Sequence, residues 1–498
     1  MNIDSIITLV AFGVYLIFMI CIGMYFMGKN RTTSEYFLGG RKLGSWVTSM
    51  SAQASDMSGW LLMGLPGAAY LSGISAGWIA IGLAIGTYLN WLLVAKPLRQ
   101  YTKVADDAIT LPQFFKNRFK DESGMISVIA AIFILVFFLF YTASGFVSCA
   151  KLFSSVFGMP YLVSLLIGAV VVISYTFAGG FFAVCWTDFF QGLLMFFCVI
   201  AVPSIAIGSL GGPADFFAQV DSFNPNFLNL FVDGATNTPY TAIGIISLIA
   251  WGLGYFGQPH ILIRFMGIES PKAIKKSRRI ATVWVLISLT AAVLIGVSGR
   301  MFLGDGLLVT AGNEETIYIN MVTRIFPVFI AGIFLSAILA AIMSTADSQL
   351  LVTASAITED FYHNKIRPNA SAKELMWVSR GCVMVVALIA VLIATNQNST
   401  VLGLVEYAWA GFGSAFGPLV LCSLFWRRAN KYGAYAGIIV GGLVDLFWAQ
   451  MSGGIFELYE IVPGFVCGLL AIIIVSLATP APSKEITDKF DSYRTCEE

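Results

Sequence analysis

The 498-residue chain contains few charged side chains. Asp, Glu, Lys and Arg make up only 11% of it, whereas a soluble globular protein carries about 25%. Hydrophobic residues account for 58%. This composition excludes a soluble globular protein. The 29 basic and 28 acidic residues nearly cancel, so the net charge gives no reason to expect a nucleic-acid partner.

The residue types that build metal centres and disulfide frameworks are also scarce or scattered. The two histidines, His260 and His363, lie far apart. The eight cysteines form no CxxC pair, and most fall inside apolar runs. Neither a transition-metal site nor a disulfide framework is therefore predicted. No HExxH motif occurs, which disfavours an integral membrane enzyme; we expect no enzymatic activity and no organic cofactor.

Long hydrophobic runs are abundant instead. A membrane-spanning helix needs about 20 mainly apolar residues, and this rule predicts thirteen spans. The first follows Asp4 rather than a basic segment, so it is interpreted as a retained helix and not a signal peptide. We predict an all-α integral membrane protein, with one transmembrane domain over 1–480 and a short cytoplasmic tail at 481–498. The predicted spans are 4–27, 45–71, 75–98, 124–153, 161–178, 183–209, 239–259, 273–301, 318–345, 375–396, 401–425, 432–452 and 458–479.

Lys and Arg are concentrated in alternate loops, which predicts the orientation of the chain. The intervening loops are nearly free of them; residues 211–240 contain none. The N-terminus is therefore predicted outside the cell and the C-terminus inside. The basic loop residues are Lys29, Arg31, Arg41 and Lys42; Arg99, Lys103, Lys116, Arg118 and Lys120; Arg264, Lys272, Lys275, Lys276, Arg278 and Arg279; Lys365, Arg367 and Lys373; and Arg427, Arg428 and Lys431.

Two spans contain similar interruptions. The second carries ASDMSG at 54–59, and the seventh carries WGLGYFGQP at 251–259. They are five spans apart, and an odd offset gives them opposite directions across the membrane. Paired broken helices of this kind are typical of inverted-repeat transporters, whose binding site lies near the membrane midplane.

The aspartate at the first interruption is the main candidate functional residue. An unpaired Asp at the bilayer centre costs about 2.5–3.5 kcal/mol, so Asp56 needs a protein partner, water or a cation. The small residues around Asp56 favour an unwound backbone whose carbonyl groups face inward. Irregular backbone of this kind is tolerated at membrane depth only where it lines a cavity or is buried in protein. Such an oxygen-rich site suits Na⁺. The alternative is that Asp56 only pairs with another polar group in the bundle.

A second polar cluster has the same chemistry. Ala341, Ser344 and Thr345 are spaced i, i+3 and i+4, so they share one face of a helix. Two hydroxyls on that face could complete a cation shell, or they could bond within their own helix. Asp188 is interpreted as a polar anchor where a loop meets a helix. For Asp445 the default interpretation is that its side chain pairs with another polar group within the bundle.

Seven stretches together resemble the sodium/solute symporter family, and within it the bacterial sodium/proline symporters. They are GGRKLG at 39–44, ASDMSGWLLMGLPG at 54–67, GG at 179–180 with WTD at 186–188, WGLGYFGQPH at 251–260, LSAILAAIMST at 335–345, SAITED at 355–360, and AWAGFG at 408–413 through Pro418.

The resemblance implies a leucine-transporter-type core of two inverted five-helix repeats, at about 45–210 and 239–425. Spans 4–27, 432–452 and 458–479 would be peripheral. It also implies a sodium site, a proline pocket and two residues linked to an inner gate. The implied sodium ligands are Ala54, Met57, Ala341, Ser344 and Thr345, with Asp56 at or beside the ion; the implied pocket is Ser58, Gly59, Tyr141, Trp251 and Tyr255; the gate residues are Arg41 and Asp188.

The implied pocket suits proline chemically. Trp251 and Tyr255, at i and i+4, are expected on one helix face, where aromatic rings can cover the pyrrolidine ring and its ammonium. The hypothesis is therefore a multi-pass cell-membrane transporter that carries Na⁺ and L-proline inward together, with no obligate protein partner. The alternatives are another small solute such as pantothenate or a different amino acid, coupling to protons through Asp56, and a passive channel.

Overall fold

The computed structural model describes residues 3–27, 32–176, 180–308 and 312–495. Over these ranges the chain is a bundle of helices with one short antiparallel hairpin, β1 (Val232–Asp233) and β2 (Thr238–Pro239). In chain order the α-helices are α1 (Ile3–Met27), α2 (Thr33–Leu38), α3 (Ser45–Asp56), α4 (Leu65–Ser72), α5 (Gly77–Leu89), α6 (Ala95–Val104), α7 (Leu111–Arg118), α8 (Met125–Phe157), α9 (Tyr161–Thr176), α10 (Phe181–Ser209), α11 (Pro213–Phe223), α12 (Ala242–Ile249), α13 (Pro259–Gly267), α14 (Ile274–Leu303), α15 (Ile317–Ile325), α16 (Val328–Ser355), α17 (Ala372–Ala394), α18 (Val401–Phe425), α19 (Lys431–Trp448), α20 (Ile461–Ala478) and α21 (Lys484–Thr495).

The predicted membrane helices are present. Nine helical stretches of the described chain are long and apolar enough to cross a membrane, and the bent pair Ala242–Gly257 and Pro259–Gly267 makes a tenth. Each of the thirteen predicted spans falls on a helix or a broken helix, some of them short, such as α9. The all-helical membrane fold is confirmed.

Two predicted span boundaries are wrong, both at a proline. The predicted span 318–345 is two helices, because Pro327 is extended (φ −56°, ψ 147°) between α15 and α16. Pro259 does not end the seventh span but stands in the first turn of a second half-helix, α13. Proline is favoured at that position because the missing N–H would have no helical partner there.

The helices differ in how far they are buried. The apolar stretch of α18 is 89% buried and that of α16 is 72% buried, whereas α1 and α20 are 28% and 33% buried. α16 and α18 therefore lie at the centre of the bundle. α1 and α20 lie at its surface, as does α17, which is also 28% buried; the assignment of α1 and α20 as peripheral helices stays a prediction. The division into two repeats stays a prediction.

Glycine allows the broken seventh span to pack closely. Residues 250–257 form a 3₁₀ helix between α12 and α13. A Cβ on Gly86 of α5 would overlap the Gly252 carbonyl oxygen, and a Cβ on Gly254 would overlap the Trp409 indole nitrogen. The missing side chains bring this segment against α5 and α18, and so fix where its aromatic residues lie.

The C-terminal segment, predicted only as a tail, contains a helix that packs against the bundle. Tyr493 of α21 stacks on Tyr101 of α6 with ring centroids 4.3 Å apart. Asp491 accepts from Arg427 at 2.9 Å, and Lys489 bonds to Asp106 at 2.9 Å. α21 thus joins the end of α6 to the end of α18.

Candidate functional site

The predicted interruption of the second span is present. α3 ends at Asp56, and Met57 leaves the helical conformation (φ −86°, ψ 78°) before a π-helical turn begins at Trp60. The Asp56 carbonyl accepts from the Trp60 indole at 3.1 Å and from the Tyr141 hydroxyl at 3.0 Å. Side chains therefore replace the backbone bonds that the helix loses, as irregular chain at membrane depth requires.

The predicted hydroxyl face of α16 meets this break. Ser344 Oγ donates to the Ala54 carbonyl at 2.7 Å, and Thr345 Oγ1 lies 3.4 Å from the same oxygen. Ser344 Oγ is also 3.2 Å from the Ala341 carbonyl. Four of the predicted sodium-ligand residues therefore meet at one point, although they come from segments about 290 residues apart in sequence. Met57 is the first residue of the break itself.

Asp56 is fully buried beside this meeting point. Its Oδ2 atom accepts from the Tyr255 hydroxyl at 2.6 Å. Its Oδ1 atom has no hydrogen-bond partner among the described residues. A buried polar atom of this kind is rare and costs about 1–3 kcal/mol when it is unpaired. Asp56 is two residues from Ala54 in sequence, and carboxylate, carbonyl and hydroxyl oxygens are the donors that a hard cation takes.

Two residues of the predicted substrate pocket contact Asp56. Tyr255 and Tyr141 reach its side chain and its carbonyl respectively. Ser58 Oγ is buried and has no partner among the described residues. A Cβ on Gly59 would overlap the Ser148 hydroxyl of α8, so the chain beyond the break runs close against that helix.

Trp251 is placed differently from the prediction. Trp251 and Tyr255 were predicted to share one helix face, and this prediction is wrong. The segment is a 3₁₀ helix, which has three residues per turn and therefore aligns residue i with residue i+3 rather than i+4. The Trp251 ring packs against Tyr459 at 5.6 Å, and the Tyr255 ring meets Trp409 edge-on at 4.9 Å. The Trp409 indole also donates to the Trp251 carbonyl at 2.7 Å. Trp409 thus links the two residues, a role that its sequence position did not reveal.

Asp188 and Arg264 form a fully buried ion pair with a separation of 3.1 Å. Asp188 Oδ2 also accepts from Ser51 at 2.7 Å, while Arg264 donates to the His260 carbonyl at 2.6 Å and to the Ser348 hydroxyl. The interpretations of Asp188 as a loop anchor and of Arg264 as a loop charge are both wrong. Breaking such a pair leaves a buried charge without compensation.

Comparisons with known proteins identify the family to which this chain belongs. The sequence model of the sodium:solute symporter family matches residues 36–441. The sodium/proline symporter of Haemophilus influenzae is 48% identical over 97% of each chain. The high-affinity proline transporter PutP of Bacillus subtilis is 48% identical over 96% of this chain and 99% of that one. The chain belongs to the sodium:solute symporter family. It is therefore a multi-pass membrane transporter and not an enzyme.

A solved structure confirms the fold of this symporter. A Na⁺-coupled sialic acid symporter in a substrate-bound outward-open state superposes with a TM-score of 0.79 at 21% identity, over 96% of this chain and 99% of that chain. The predicted leucine-transporter-type fold is confirmed.

Arg41 of the symporter lies at the loop end of the bundle, away from Asp56. It bonds to Asp107 at 3.0 Å, to the Met266 carbonyl at 2.6 Å and to the Ala108 carbonyl at 2.9 Å. Burial lowers the pKa of its guanidinium to about 10, so the group stays charged at neutral pH. Arg41 thus connects its own loop to the segment between α6 and α7 and to the end of α13.

Asp347 is a buried carboxylate that the sequence reasoning missed. It lines a cleft of about 170 Å³ between α1, α9, α10 and α16. Its Oδ2 atom has no hydrogen-bond partner among the described residues. The signal was available, because Asp347 follows the Ser344–Thr345 pair within an apolar run, and a carboxylate in a membrane span is a functional candidate by default.

Asp445 pairs within the bundle, as its default interpretation expected. The Ser414 hydroxyl of α18 donates to it at 2.9 Å. Gly179, part of one family stretch, lies outside the described residues.

Proposed function

We propose that the protein carries L-proline into the cell together with Na⁺ by alternating access. The observation on which the proposal depends is that the Ser344 and Thr345 hydroxyls converge on the Ala54 carbonyl at the break in α3. The partnerless Oδ1 atom of Asp56 lies at the same break. The names of the relatives supply the substrate.

The proposed sodium site consists of backbone oxygens and two hydroxyls. Carbonyls of Ala54, Met57 and Ala341 would bind the ion with Ser344 Oγ and Thr345 Oγ1, and Asp56 would balance its charge. In the structure the Ser344 and Thr345 hydroxyls donate to the Ala54 carbonyl, which belongs to the same set. Binding would therefore exchange hydrogen bonds between these groups for bonds to the ion, without moving either helix far.

The proposed proline pocket lies next to the sodium site, around the break. Ser58 Oγ and the free N–H groups near Gly59 would bind the carboxylate of proline. The rings of Tyr141 and Tyr255 would cover its apolar ring, while Trp251, whose ring packs against Tyr459, would support Tyr255 through Trp409. Because the break supplies groups to both sites, an ion that joins α3 to α16 would order the proline pocket, which is positive coupling between two ligands.

We further propose that the N-terminus faces outward and the C-terminus faces the cytoplasm, from the alternation of basic loops. Moving one positive charge inward through 100 mV releases about 2.3 kcal/mol, and a tenfold Na⁺ gradient adds about 1.4 kcal/mol. One Na⁺ per proline could thus support accumulation of roughly a few hundredfold.

Purified protein in sealed liposomes tests the proposal. Labelled proline outside should accumulate above its external concentration when Na⁺ is imposed outside, and should not when K⁺ replaces it. Accumulation that is indifferent to Na⁺ at fixed pH and potential would instead indicate proton coupling, and strictly downhill flux would indicate a channel. Unlabelled pantothenate and other amino acids that compete better than unlabelled proline would overturn the substrate assignment.

A further inference from the structure

A groove of about 610 Å³ opens on the membrane-facing surface of the bundle, away from the proposed transport site. It runs between α18, α20 and the helical segment at 90–94 that joins α5 to α6. Its lining is apolar: Leu93, Leu421, Cys422, Phe425, Trp426 and Ile473. Leu93 and Phe425 are 41% and 44% exposed, so the groove is open to whatever surrounds the protein in the membrane.

Two cations follow closely in sequence on residues that line this groove, although neither is part of its wall. Lys96 follows Leu93 by three residues, which places it on the same helix face one turn further along. Lys96 is exposed and makes no ion pair with any residue that the structure describes. Arg428, two residues beyond Trp426, donates from Nη2 to the Thr479 carbonyl at 2.8 Å. Its Nη1 atom is buried and has no partner in the described chain.

Arg427, the residue before Arg428, differs from it because Arg427 has a counter-charge. Arg427 is held by Asp491 of α21, with contacts of 2.9 and 3.1 Å. α21 therefore neutralises Arg427, whereas Arg428 forms no ion pair within residues 3–27, 32–176, 180–308 and 312–495. Two positive charges close to an apolar groove match a ligand that has an anionic head and a hydrocarbon body.

The depth of the groove also matches such a ligand. α20 ends at Ala478, so the Thr479 carbonyl bound by Arg428 marks the edge of the membrane. Ile473, in the groove wall, is six residues earlier, which corresponds to roughly 9 Å deeper along a helix. A phosphate at the height of Arg428 would therefore have its acyl chain at the height of Ile473.

We propose that this groove binds one anionic phospholipid, with the phosphate between Lys96 and Arg428 and an acyl chain along the apolar wall. Basic pockets between membrane helices commonly bind anionic head groups. In the proposed orientation this end faces the cytoplasmic leaflet, where anionic lipids are found. A second copy of the chain is a poorer occupant. A symmetric dimer through this groove would bring the same cations of both copies together.

Native mass spectrometry of the full-length protein tests the proposal. The protein would be released from detergent containing equal phosphatidylglycerol and phosphatidylcholine. The wild type should retain one phosphatidylglycerol in preference to phosphatidylcholine. Lys96→Gln should weaken that retention about fivefold, because each cation near the surface contributes about 1 kcal/mol. Lys275→Gln is the matched control, since it removes an exposed cation in the first turn of α14, away from the groove.

Leu93→Trp is a second, independent variant. It fills the groove and leaves both cations in place, so it should also abolish the preferential retention. The exposed position of Leu93 makes the substitution compatible with folding, which keeps the test valid if Lys96→Gln fails to fold. Equal losses in Lys96→Gln and Lys275→Gln would overturn the proposal, as would retention unchanged by Leu93→Trp. Cross-linking of two chains through a cysteine at position 93 in membranes would identify a second copy as the occupant.

Discussion

Ser344→Ala removes a single oxygen atom from the contact between α16 and the break in α3. If that oxygen is a sodium ligand, the ion loses an interaction worth about 1.5–3 kcal/mol, the usual range for a hydrogen-bonding group beside a charge. The ion-free protein also loses the 2.7 Å bond from Ser344 Oγ to the Ala54 carbonyl, worth about 0.5–1.5 kcal/mol. The net weakening of Na⁺ binding is therefore about 1–2 kcal/mol, which corresponds to five- to thirtyfold.

The assay is labelled proline uptake by proteoliposomes over a range of external Na⁺ concentrations. The Na⁺ concentration for half-maximal uptake should rise five- to thirtyfold in Ser344→Ala. Ser336→Ala is the matched control, because the Ser336 hydroxyl donates to the Gly332 carbonyl within the same helix, two turns before the site. It should leave the Na⁺ dependence unchanged. A Ser344→Ala variant with altered proline dependence and unaltered Na⁺ dependence would refute the ligand assignment, and so would equal shifts in both variants.

Three further variants test the groups around the site. Tyr255→Phe leaves Asp56 Oδ2 without its donor, so the thermal unfolding midpoint should fall in KCl and recover partly in NaCl; an equal fall in both salts would contradict the cation role. Arg264→Met should destabilise the protein by about 3–5 kcal/mol, and adding Asp188→Asn should restore part of the unfolding midpoint; a double variant no more stable than the single one would argue against the pair. Gly254→Ala should cost about 1–3 kcal/mol through overpacking, and an unchanged midpoint would show that this contact can relax.

The break in the second span was predictable because its cause is local. Small residues around Asp56 weaken the helix, and a carboxylate at that depth needs oxygen-rich or aqueous surroundings. The hydroxyl face of α16 was predictable for a similar reason, since its i, i+3 and i+4 spacing survives in a regular helix. What the spacing could not reveal was its partner: nothing near Ser344 in the sequence indicates that it bonds to Ala54.

The errors also share a physical cause. Trp251 and Tyr255 were assigned to one face on the assumption of α-helical winding, but the glycines of WGLGYFG allow the tighter 3₁₀ winding. Arg264 was assigned to a loop because Pro259 was interpreted as a helix end, although proline is equally compatible with a helix start. In both cases a Gly or Pro permits two backbone conformations, and contacts with distant helices such as α5 and α18 determine which one forms.

An unpaired buried oxygen does not by itself identify a transport site in this symporter. Asp445 Oδ2 and Asp360 Oδ1 also lack partners among the described residues. Asp445 faces a single hydroxyl at a tight crossing, where a Cβ on Gly441 would overlap the Ser414 carbonyl oxygen. Asp56 differs because its free oxygen lies at a broken helix that also collects hydroxyls from α16 and α8. Stability alone would favour a continuous apolar helix there, so the combination of a lost helical turn, convergent oxygens and an uncompensated carboxylate is what supports a binding function.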